Sequence, residues 1–230
     1  MPDSPDPTVP EPTALDDDGL DDDGLDPSGP DRARTGRAET IAAFHAGLDG
    51  PLWRVAGWGS EELQHVRFEA LTRTAGYAGG TVLDWGCGPG DLYFHLRAMH
   101  LPLTYTGVDL DPRMVALAES RGVPGVSLLP PSQAPGGSYD YVFASGIFQF
   151  ADPADPLYYL STLEQAYDIS RRAVAVTFLS AQRPAEARAP DELYADPAVL
   201  ARFAAALTDR WRIDHSYHPN GGDFTLALFR

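Results

Sequence analysis

Residues 81–92 carry the sequence Thr81-Val82-Leu83-Asp84-Trp85-Gly86-Cys87-Gly88-Pro89-Gly90-Asp91-Leu92. Its β-branched and aliphatic start is typical of a buried strand, and an acid ends that run. Three alternating glycines follow, and a helical spacing of apolar residues begins at Leu92. Glycine suits this turn because the backbone must take positive φ values and let a ligand approach without a Cβ atom in the way. A strand, a glycine turn and a helix predict half of a βαβ unit, at the place where parallel sheets bind nucleotides.

The glycine spacing limits the kind of nucleotide. Gly86, Gly88 and Gly90 follow G-x-G-x-G, whereas dinucleotide-binding loops follow G-x-G-x-x-G. No Gly-Lys-Ser/Thr follows, which excludes a P-loop. Asp84 stands at the entrance of the turn. A carboxylate there would repel a pyrophosphate group, but it suits a ligand that carries an ammonium group.

A second acid follows at the distance expected for ribose binding. Leu103–Val108 is predicted to be the next strand, and Asp109 stands at its end, about 20 residues past the glycines, where an acid binds ribose hydroxyls in such units. Asp111 and Pro112 then have the character of an N-cap and a first helical residue.

These segments resemble a known family. Residues 81–92 resemble motif I of the class I S-adenosylmethionine-dependent methyltransferases, and residues 105–112 and 139–148 look like its second and fourth motifs. The resemblance covers roughly residues 58–230. It implies S-adenosylmethionine as cofactor and S-adenosylhomocysteine as product. It also implies cofactor-binding roles for Arg67, Asp84, Gly86, Cys87, Gly88, Gly90, Asp109, Leu110, Ser145 and Gly146.

Arg67 lies on a helix predicted from Ser60 to about Ala75, on one face with Gln64, Phe68 and Leu71. An amide and a guanidinium among core-directed residues need partners, because burying them alone is costly. Two readings stay open for Arg67. It extends to the surface, or it pairs with the carboxylate of the cofactor's amino-acid part, as the resemblance implies.

The rest of the pattern predicts an α/β fold: a Rossmann-like, seven-stranded, mainly parallel sheet with a C-terminal antiparallel hairpin and helices on both faces. Further strands are predicted at 126–129, 139–144 and 173–179, and a hairpin at 211–217 and 224–229. Helices are predicted at 38–48, 157–170 and 197–207. We expect residues 1–34 to be a disordered acidic tail and residues 35–230 to be the methyltransferase domain, with residues 35–79 forming helices that cap the site.

The tail holds much of the negative charge. Eleven of the 33 acidic residues lie in residues 1–31, which contain no base, so the formal net charge of −16 is concentrated there. This segment has too little apolar surface to offset the entropy of ordering.

The sequence shows no signal-peptide pattern, no membrane-spanning run and a single cysteine, Cys87, which together predict a cytoplasmic protein without disulfides.

Several functions are excluded or disfavoured. The chain contains no lysine, and Ser145-Gly146-Ile147-Phe148 is not the signature of DNA amino-methyltransferases, so we expect no nucleic-acid partner. The histidines and acids show no metal-ligand spacing, so no metal site is predicted. The sequence does not predict the oligomeric state.

The acceptor pocket is expected at the carboxyl edge of the sheet, which the last hairpin also reaches in this family. Segments that contain Gln149, Phe150, Ser180, Tyr194 and His218 are predicted to be able to wall it. His215 and Tyr217 are the catalytic candidates, because histidine can take a proton near neutral pH.

The sequence therefore predicts a methyltransferase that moves a methyl group to an oxygen or nitrogen atom, or less readily a carbon atom, of a small molecule by in-line displacement. Two alternatives stay open. One is a non-catalytic S-adenosylmethionine-binding regulator or subunit, and the other is a protein methyltransferase whose acidic tail recruits a basic partner.

Overall fold

A computed structural model describes residues 30–230, with side chains from residue 36 onward. The helices are α1 (Pro30–Ala46), α2 (Leu52–Val55), α3 (Glu61–Ala75), α4 (Asp91–Ala98), α5 (Pro112–Ser120), α6 (Tyr158–Asp168) and α7 (Pro197–Leu207). The strands are β1 (Gly80–Trp85), β2 (Leu103–Asp109), β3 (Val126–Leu128), β4 (Tyr139–Ala144), β5 (Ser170–Ser180), β6 (Tyr194–Ala195), β7 (Trp211–Asp214) and β8 (Asp223–Phe229).

The strands form one sheet in the order β3-β2-β1-β4-β5-β8-β7, and β6 pairs with the end of β5. Strands β1 to β5 pair in parallel, whereas β8 runs antiparallel to both β5 and β7. This confirms the predicted seven-stranded, mainly parallel sheet with a terminal hairpin, to which β6 adds a two-residue strand. The strand order reverses between β1 and β4, and such switch points are where open α/β sheets bind ligands.

Local signals set the helix ends. The hydroxyl of Ser60 accepts a hydrogen bond from the Leu63 amide (3.1 Å), and Gly76 ends α3 in the left-handed conformation. Asp111 caps α5 through the Arg113 amide (2.8 Å), with Pro112 as the first helical residue. Helix α3 therefore starts and ends, and α5 starts, where the sequence predicts.

The core lies on both faces of the sheet, because successive strand residues point to opposite sides. Val82 and Phe143 pack with α3, α4 and α5 on one face, and Leu83 and Val142 pack with α6 and α7 on the other. All four of these side chains are fully buried. The sheet is thus a rigid platform whose carboxyl edge can position a site.

Several element bounds differ from the sequence-based expectation, and two short elements are new. Helix α1 begins at Pro30 and ends at Ala46, whereas the pattern predicted residues 38–48. Strand β7 ends at Asp214 and not at Tyr217, because the chain turns at that point. The short elements α2 and β6 were not predicted, since two to four residues carry no periodic signal. The tail prediction falls mostly on residues 1–29, which lie outside the described part of the chain.

Within residues 30–230, no helix is both long enough and apolar enough to cross a membrane.

Candidate functional site

A cavity lies at the carboxyl edge of the sheet, over the switch point between β1 and β4. Its walls come from the turns that follow β1, β2, β3 and β4, together with parts of α1, α3 and α6. The cavity contains most of the predicted cofactor-binding residues: Asp84, Gly86, Cys87, Gly88, Asp109, Leu110, Ser145 and Gly146. The structure therefore brings together positions that are up to 62 residues apart in sequence.

The glycine turn is held against β2 and left open toward the cavity. The amides of Gly86 and Cys87 both donate to the carbonyl of Val108 (2.8 and 3.0 Å). Gly88 has a φ of +53°, and a Cβ atom there would meet nothing within 4 Å. Gly90 starts α4 in the left-handed conformation and packs against Val123, so its role is to shape the turn and not to line the cavity. The turn is thus built for close approach of a ligand to the backbone.

Asp109 links the two motifs. Its Oδ2 accepts from the amide of Gly88 (2.8 Å), and its Oδ1 accepts from the amide of Asp111 (2.9 Å). Burial raises the pKa of this carboxyl, and the two backbone hydrogen bonds oppose that shift. Each carboxylate oxygen has capacity for a further hydrogen bond, so Asp109 can hold the turn and still accept from ligand hydroxyls.

Asp84 is the most strongly desolvated acid of the cavity. It is 2% exposed, and the hydroxyl of Tyr105 donates to its Oδ2 at 2.6 Å. Burial raises its pKa to about 7; the Tyr105 hydrogen bond opposes this rise, and the nearby charges of Asp109 and Asp91 add to it. A buried carboxylate without a cation is unfavourable, and a ligand ammonium group would supply the missing charge.

Asp91, in the first turn of α4, is held from two sides. The Gln64 side-chain amide donates to one of its oxygens (2.8 Å), and Arg121 pairs with the other (2.7 Å). Gln64 is 3% exposed, and a buried amide needs a hydrogen-bond partner. Asp91 is that partner. The N-terminus of α4 is thereby fixed beside the glycine turn.

Arg67 does not line the cavity. Its guanidinium forms an ion pair with Asp223 at the start of β8 and lies over the ring of Trp58, 4.9 Å from the centroid. Asp223 is 2% exposed, so this is a buried pair between α3 and the terminal hairpin. The sequence did not predict this partner, because Asp223 lies 156 residues away and no local pattern indicates it; the cofactor role of Arg67 stays a prediction.

Helix α1 crosses the cavity opening. Arg37, Ile41 and His45, which are spaced by four residues and share one face, contribute to its lining. The end of the helix is fastened to α5: His45 Nδ1 lies 3.1 Å from Asp111 Oδ2, and Arg113 donates to the carbonyls of His45 and Leu48. This helix was predicted, but its contribution to the site by these three side chains was not.

The turn after β4 forms the opposite wall. The hydroxyl groups of Ser145 and Thr177 are 3.1 Å apart, and the Gly146 amide donates to the same Thr177 oxygen (3.3 Å). Gly146 has a φ of +84°, and a Cβ atom there would meet the Trp58 ring at 3.5 Å. Strand β5 therefore fixes this turn from behind.

The structure does not bring His215 and Tyr217 to the cavity. His215 Nε2 lies 3.0 Å from the carbonyl of Gly221, so the turn after β7 folds onto itself. Burial raises the pKa of the Tyr217 hydroxyl, which keeps that group neutral. The physical reason is strand order: β7 is three strands from β4, about 14 Å at the usual spacing. Of the predicted wall segments, Gln149 and Phe150 line the cavity, whereas Ser180, Tyr194 and His218 do not.

Cys87 lies within the glycine turn. Its side chain is 5% exposed and packs close to Gly107 beneath the turn. Burial raises the pKa of the thiol, and the charges of Asp84 and Asp109 raise it further, so the thiol is not a nucleophile at neutral pH. Among residues 30–230, no three His, Cys, Asp or Glu side chains are grouped so that they could hold a metal ion.

Several cavity residues carried too weak a signal to be predicted as part of the site. On α6, Tyr158, Ser161, Thr162 and Gln165 line one side of the cavity. Their i, i+3, i+4 and i+7 spacing shows a shared helix face, but its polar character is typical of a solvated surface as well.

Comparison with known proteins agrees with this geometry. A family profile described as a methyltransferase domain matches residues 83–168. A Mycobacterium tuberculosis protein named as a methyltransferase is 30% identical over 126 residues, which cover 52% of this chain and 75% of that protein.

Solved structures share the fold at low identity. A magnesium protoporphyrin IX methyltransferase from Synechocystis PCC 6803, with bound SAH, superimposes with a TM-score of 0.57 at 14% identity, covering 86% of this chain and 99% of that chain. The plantazolicin methyltransferase, in complex with a triazolic desmethylPZN analogue and SAH, gives a TM-score of 0.59 at 11% identity, covering 87% and 97%. The matches to the family profile and to the mycobacterial relative, on this fold, show that the chain belongs to the class I S-adenosylmethionine-dependent methyltransferases.

Proposed function

We propose that this enzyme methylates an oxygen or nitrogen atom of a small molecule that enters the cavity beneath α1. S-adenosylmethionine, when bound, supplies a methyl group on a sulfonium sulfur. The nucleophile of the acceptor attacks this methyl carbon in line with the carbon–sulfur bond, and S-adenosylhomocysteine leaves. Such a transfer needs little covalent help from the protein. The residues of this chain have to bind the cofactor, orient the acceptor and exclude water.

The cofactor roles follow from the chemistry of the cavity. Asp84, buried and without a cationic partner, suits the ammonium group of the cofactor. Asp109, which keeps free acceptor capacity beside the turn, suits the ribose hydroxyls. The open backbone at Gly88 suits close packing of the ligand, and Gly86, Leu110, Ser145 and Gly146 complete the walls. Arg67 has no part in this proposal, since Asp223 already neutralises it.

The observation that carries the small-molecule assignment is the roof formed by α1. The helix contacts α6 through Arg37 and Tyr158, and it contacts α5 through His45, Asp111 and Arg113. A cavity spanned in this way favours an acceptor that fits beneath the helix over a polymer that must lie across an open groove.

A binding titration tests the proposed cofactor and the role of Asp109. The full chain is titrated calorimetrically with S-adenosylmethionine, S-adenosylhomocysteine and NAD. We expect saturable binding of the first two, and binding weaker by about 10- to 100-fold in Asp109→Asn, because charge-assisted hydrogen bonds contribute about 1.5–3 kcal/mol. Glu119→Gln, which alters an exposed carboxyl on α5, is the matched control and should bind as the wild type does.

Transfer of a labelled methyl group tests whether the acceptor is a small molecule. The protein is incubated with methyl-tritiated S-adenosylmethionine and a cell extract that is then separated into low-mass and protein fractions. We expect the tritium in the low-mass fraction. Label that accumulates only on protein would contradict the small-molecule assignment and favour a protein acceptor.

A further inference from the structure

Arg37 is a positively charged side chain of the cavity, and it forms no ion pair with a described residue. Its Nε and Nη1 atoms are buried, and neither has a hydrogen-bond partner among the described residues. The guanidinium carbon lies 3.9 Å from the centroid of the Tyr158 ring, so the two planar groups are in contact. A guanidinium carries a positive charge, so burying part of it without a partner is costly.

The cavity's own acids do not neutralise this charge. Asp84 pairs with Tyr105, Asp91 with Gln64 and Arg121, and Asp109 with two backbone amides. Contact with the Tyr158 ring offsets only part of the cost of burying the Nε and Nη1 donors of Arg37. An anion is therefore missing from the environment of Arg37 in the described part of the chain.

Nearby residues do not supply this anion either. The hydroxyl of Tyr158 donates to the carbonyl of Phe150 (2.9 Å), and burial raises the pKa of this hydroxyl to about 12, so it stays neutral. Asp152 accepts from the amides of Ala154 (3.0 Å) and Asp155 (3.4 Å), and it forms no ion pair with Arg37.

The position of Arg37 separates it from the cofactor's ribose region. On α1 it lies eight residues before His45, which is about 12 Å along a helix. His45 contacts Asp111, beside the ribose-binding candidate Asp109. Arg37 thus lies toward the opposite end of the roof, next to Tyr158 and the turn after β4.

We propose that Arg37 binds an oxyanion group, a carboxylate or a phosphoryl group, of the methyl acceptor. The inference rests on the proposed function and narrows it to acidic small molecules. Because guanidinium donors match both oxyanions in geometry, Arg37 discriminates an acid from its neutral amide and orients the acceptor beneath α1.

Ligand binding to the full chain saturated with S-adenosylhomocysteine tests this role without turnover. The probes are benzoate, phenylphosphonate and the neutral isostere benzamide, followed by ligand-observed NMR titration. We expect at least one of the two acids to bind about tenfold or more tightly than benzamide, as a charge-assisted contact predicts. The tighter acid identifies the oxyanion class.

Variants at position 37 isolate the residue. Arg37→Gln should lower acid affinity to the level of benzamide and leave S-adenosylhomocysteine affinity within about twofold of the wild type, since the contact is made to the acceptor. Arg37→Lys should retain part of the preference, because it keeps the charge but not the planar donor set. Arg202→Gln on α7, an exposed arginine, is the control and should behave as the wild type does.

Contrary outcomes are distinct. Benzamide binding as tightly as both acids, or acid binding that survives Arg37→Gln, would overturn the role of Arg37 and leave the small-molecule assignment standing. A tenfold loss of S-adenosylhomocysteine affinity in Arg37→Gln would assign Arg37 to the cofactor instead. Failure of S-adenosylhomocysteine to bind the wild type would contradict the proposed function itself.

Discussion

At the scale of single residues, Asp84 lines the cavity at a cost to stability. Its carboxyl is buried beside Asp109 and Asp91, and the Tyr105 hydroxyl is the hydrogen-bond donor to it. Burial raises its pKa to about 7, from 3.8 in the unfolded chain. The folded protein therefore binds a proton at Asp84 more tightly than the unfolded chain does, and stability from this residue falls as pH rises between these two values.

The first prediction concerns Asp84→Asn in the absence of cofactor. Below the unfolded pKa both states are protonated and Asp84 contributes no pH dependence, whereas above pH 7 the folded state has to hold the charge. The variant removes this dependence. Its unfolding free energy relative to the wild type should thus rise by about 2 kcal/mol from pH 5.5 to pH 8.

Urea unfolding of both proteins at intervals across that range measures the difference. Glu119→Gln provides the control and should track the wild type. A constant difference between Asp84→Asn and the wild type at every pH would contradict the raised pKa. The same variant should lose affinity for S-adenosylmethionine, because the neutral amide cannot pair with an ammonium group.

At the scale of elements, α1 owes its position to contacts at its C-terminal end. Arg113, from the first turn of α5, donates to the carbonyls of His45 and Leu48. A cation at a helix C-terminus satisfies free carbonyls and interacts favourably with the helix dipole. The helix has low amphipathic character and few buried residues, so these polar contacts matter more than apolar packing for keeping it over the cavity.

The second prediction is that Arg113→Gln loosens the roof. Loss of about 1.4 kcal/mol from these charge-assisted hydrogen bonds should speed the dissociation of S-adenosylhomocysteine about tenfold. Amide hydrogen exchange in residues 37–46 should also increase, while exchange in α7 stays unchanged. Stopped-flow displacement and exchange mass spectrometry measure the two effects, with Arg202→Gln as control. Unchanged exchange in α1 would show that Arg113 does not fasten it.

At the scale of the whole molecule, α3 connects the N-terminal part of the domain to the C-terminal hairpin. It packs on β5 and β8, and Arg67 pairs with Asp223. Arg73 forms a second ion pair with Asp214 (2.8 Å), and Arg212 donates to the carbonyl of Thr74 (3.3 Å). The terminal hairpin is thereby fixed to a helix that precedes the first strand.

The third prediction separates a structural role of Arg67 from a cofactor role. Arg67→Met leaves the Asp223 carboxylate buried and unpaired, which should lower the unfolding free energy by about 3–5 kcal/mol. The double variant Arg67→Met/Asp223→Leu should recover much of this loss, because no buried charge remains. Urea unfolding measures both. In the folded fraction, S-adenosylhomocysteine affinity of Arg67→Met should stay near that of the wild type, and a tenfold loss there would restore the role that the family resemblance implies.

The sequence by itself determined the parts that short-range patterns encode. The glycine turn after a buried strand, Asp84 and Asp109 at strand ends, and the caps of α3 and α5 all depend on neighbouring residues, because backbone conformation and helix ends are set within a few positions. Together they indicated the α/β class, the family and eight of the residues that line the cavity.

Only the tertiary structure decided which side chains from distant elements meet. Arg67 and Asp223 are paired by the crossing of α3 over β8, and Arg37 reaches the cavity because α1 is fastened to α5. His215 is kept away because β7 lies three strands from β4. Strand order and helix crossing come from the packing of the whole core, which minimises exposed apolar area. The residues next to each site in the sequence do not encode that packing.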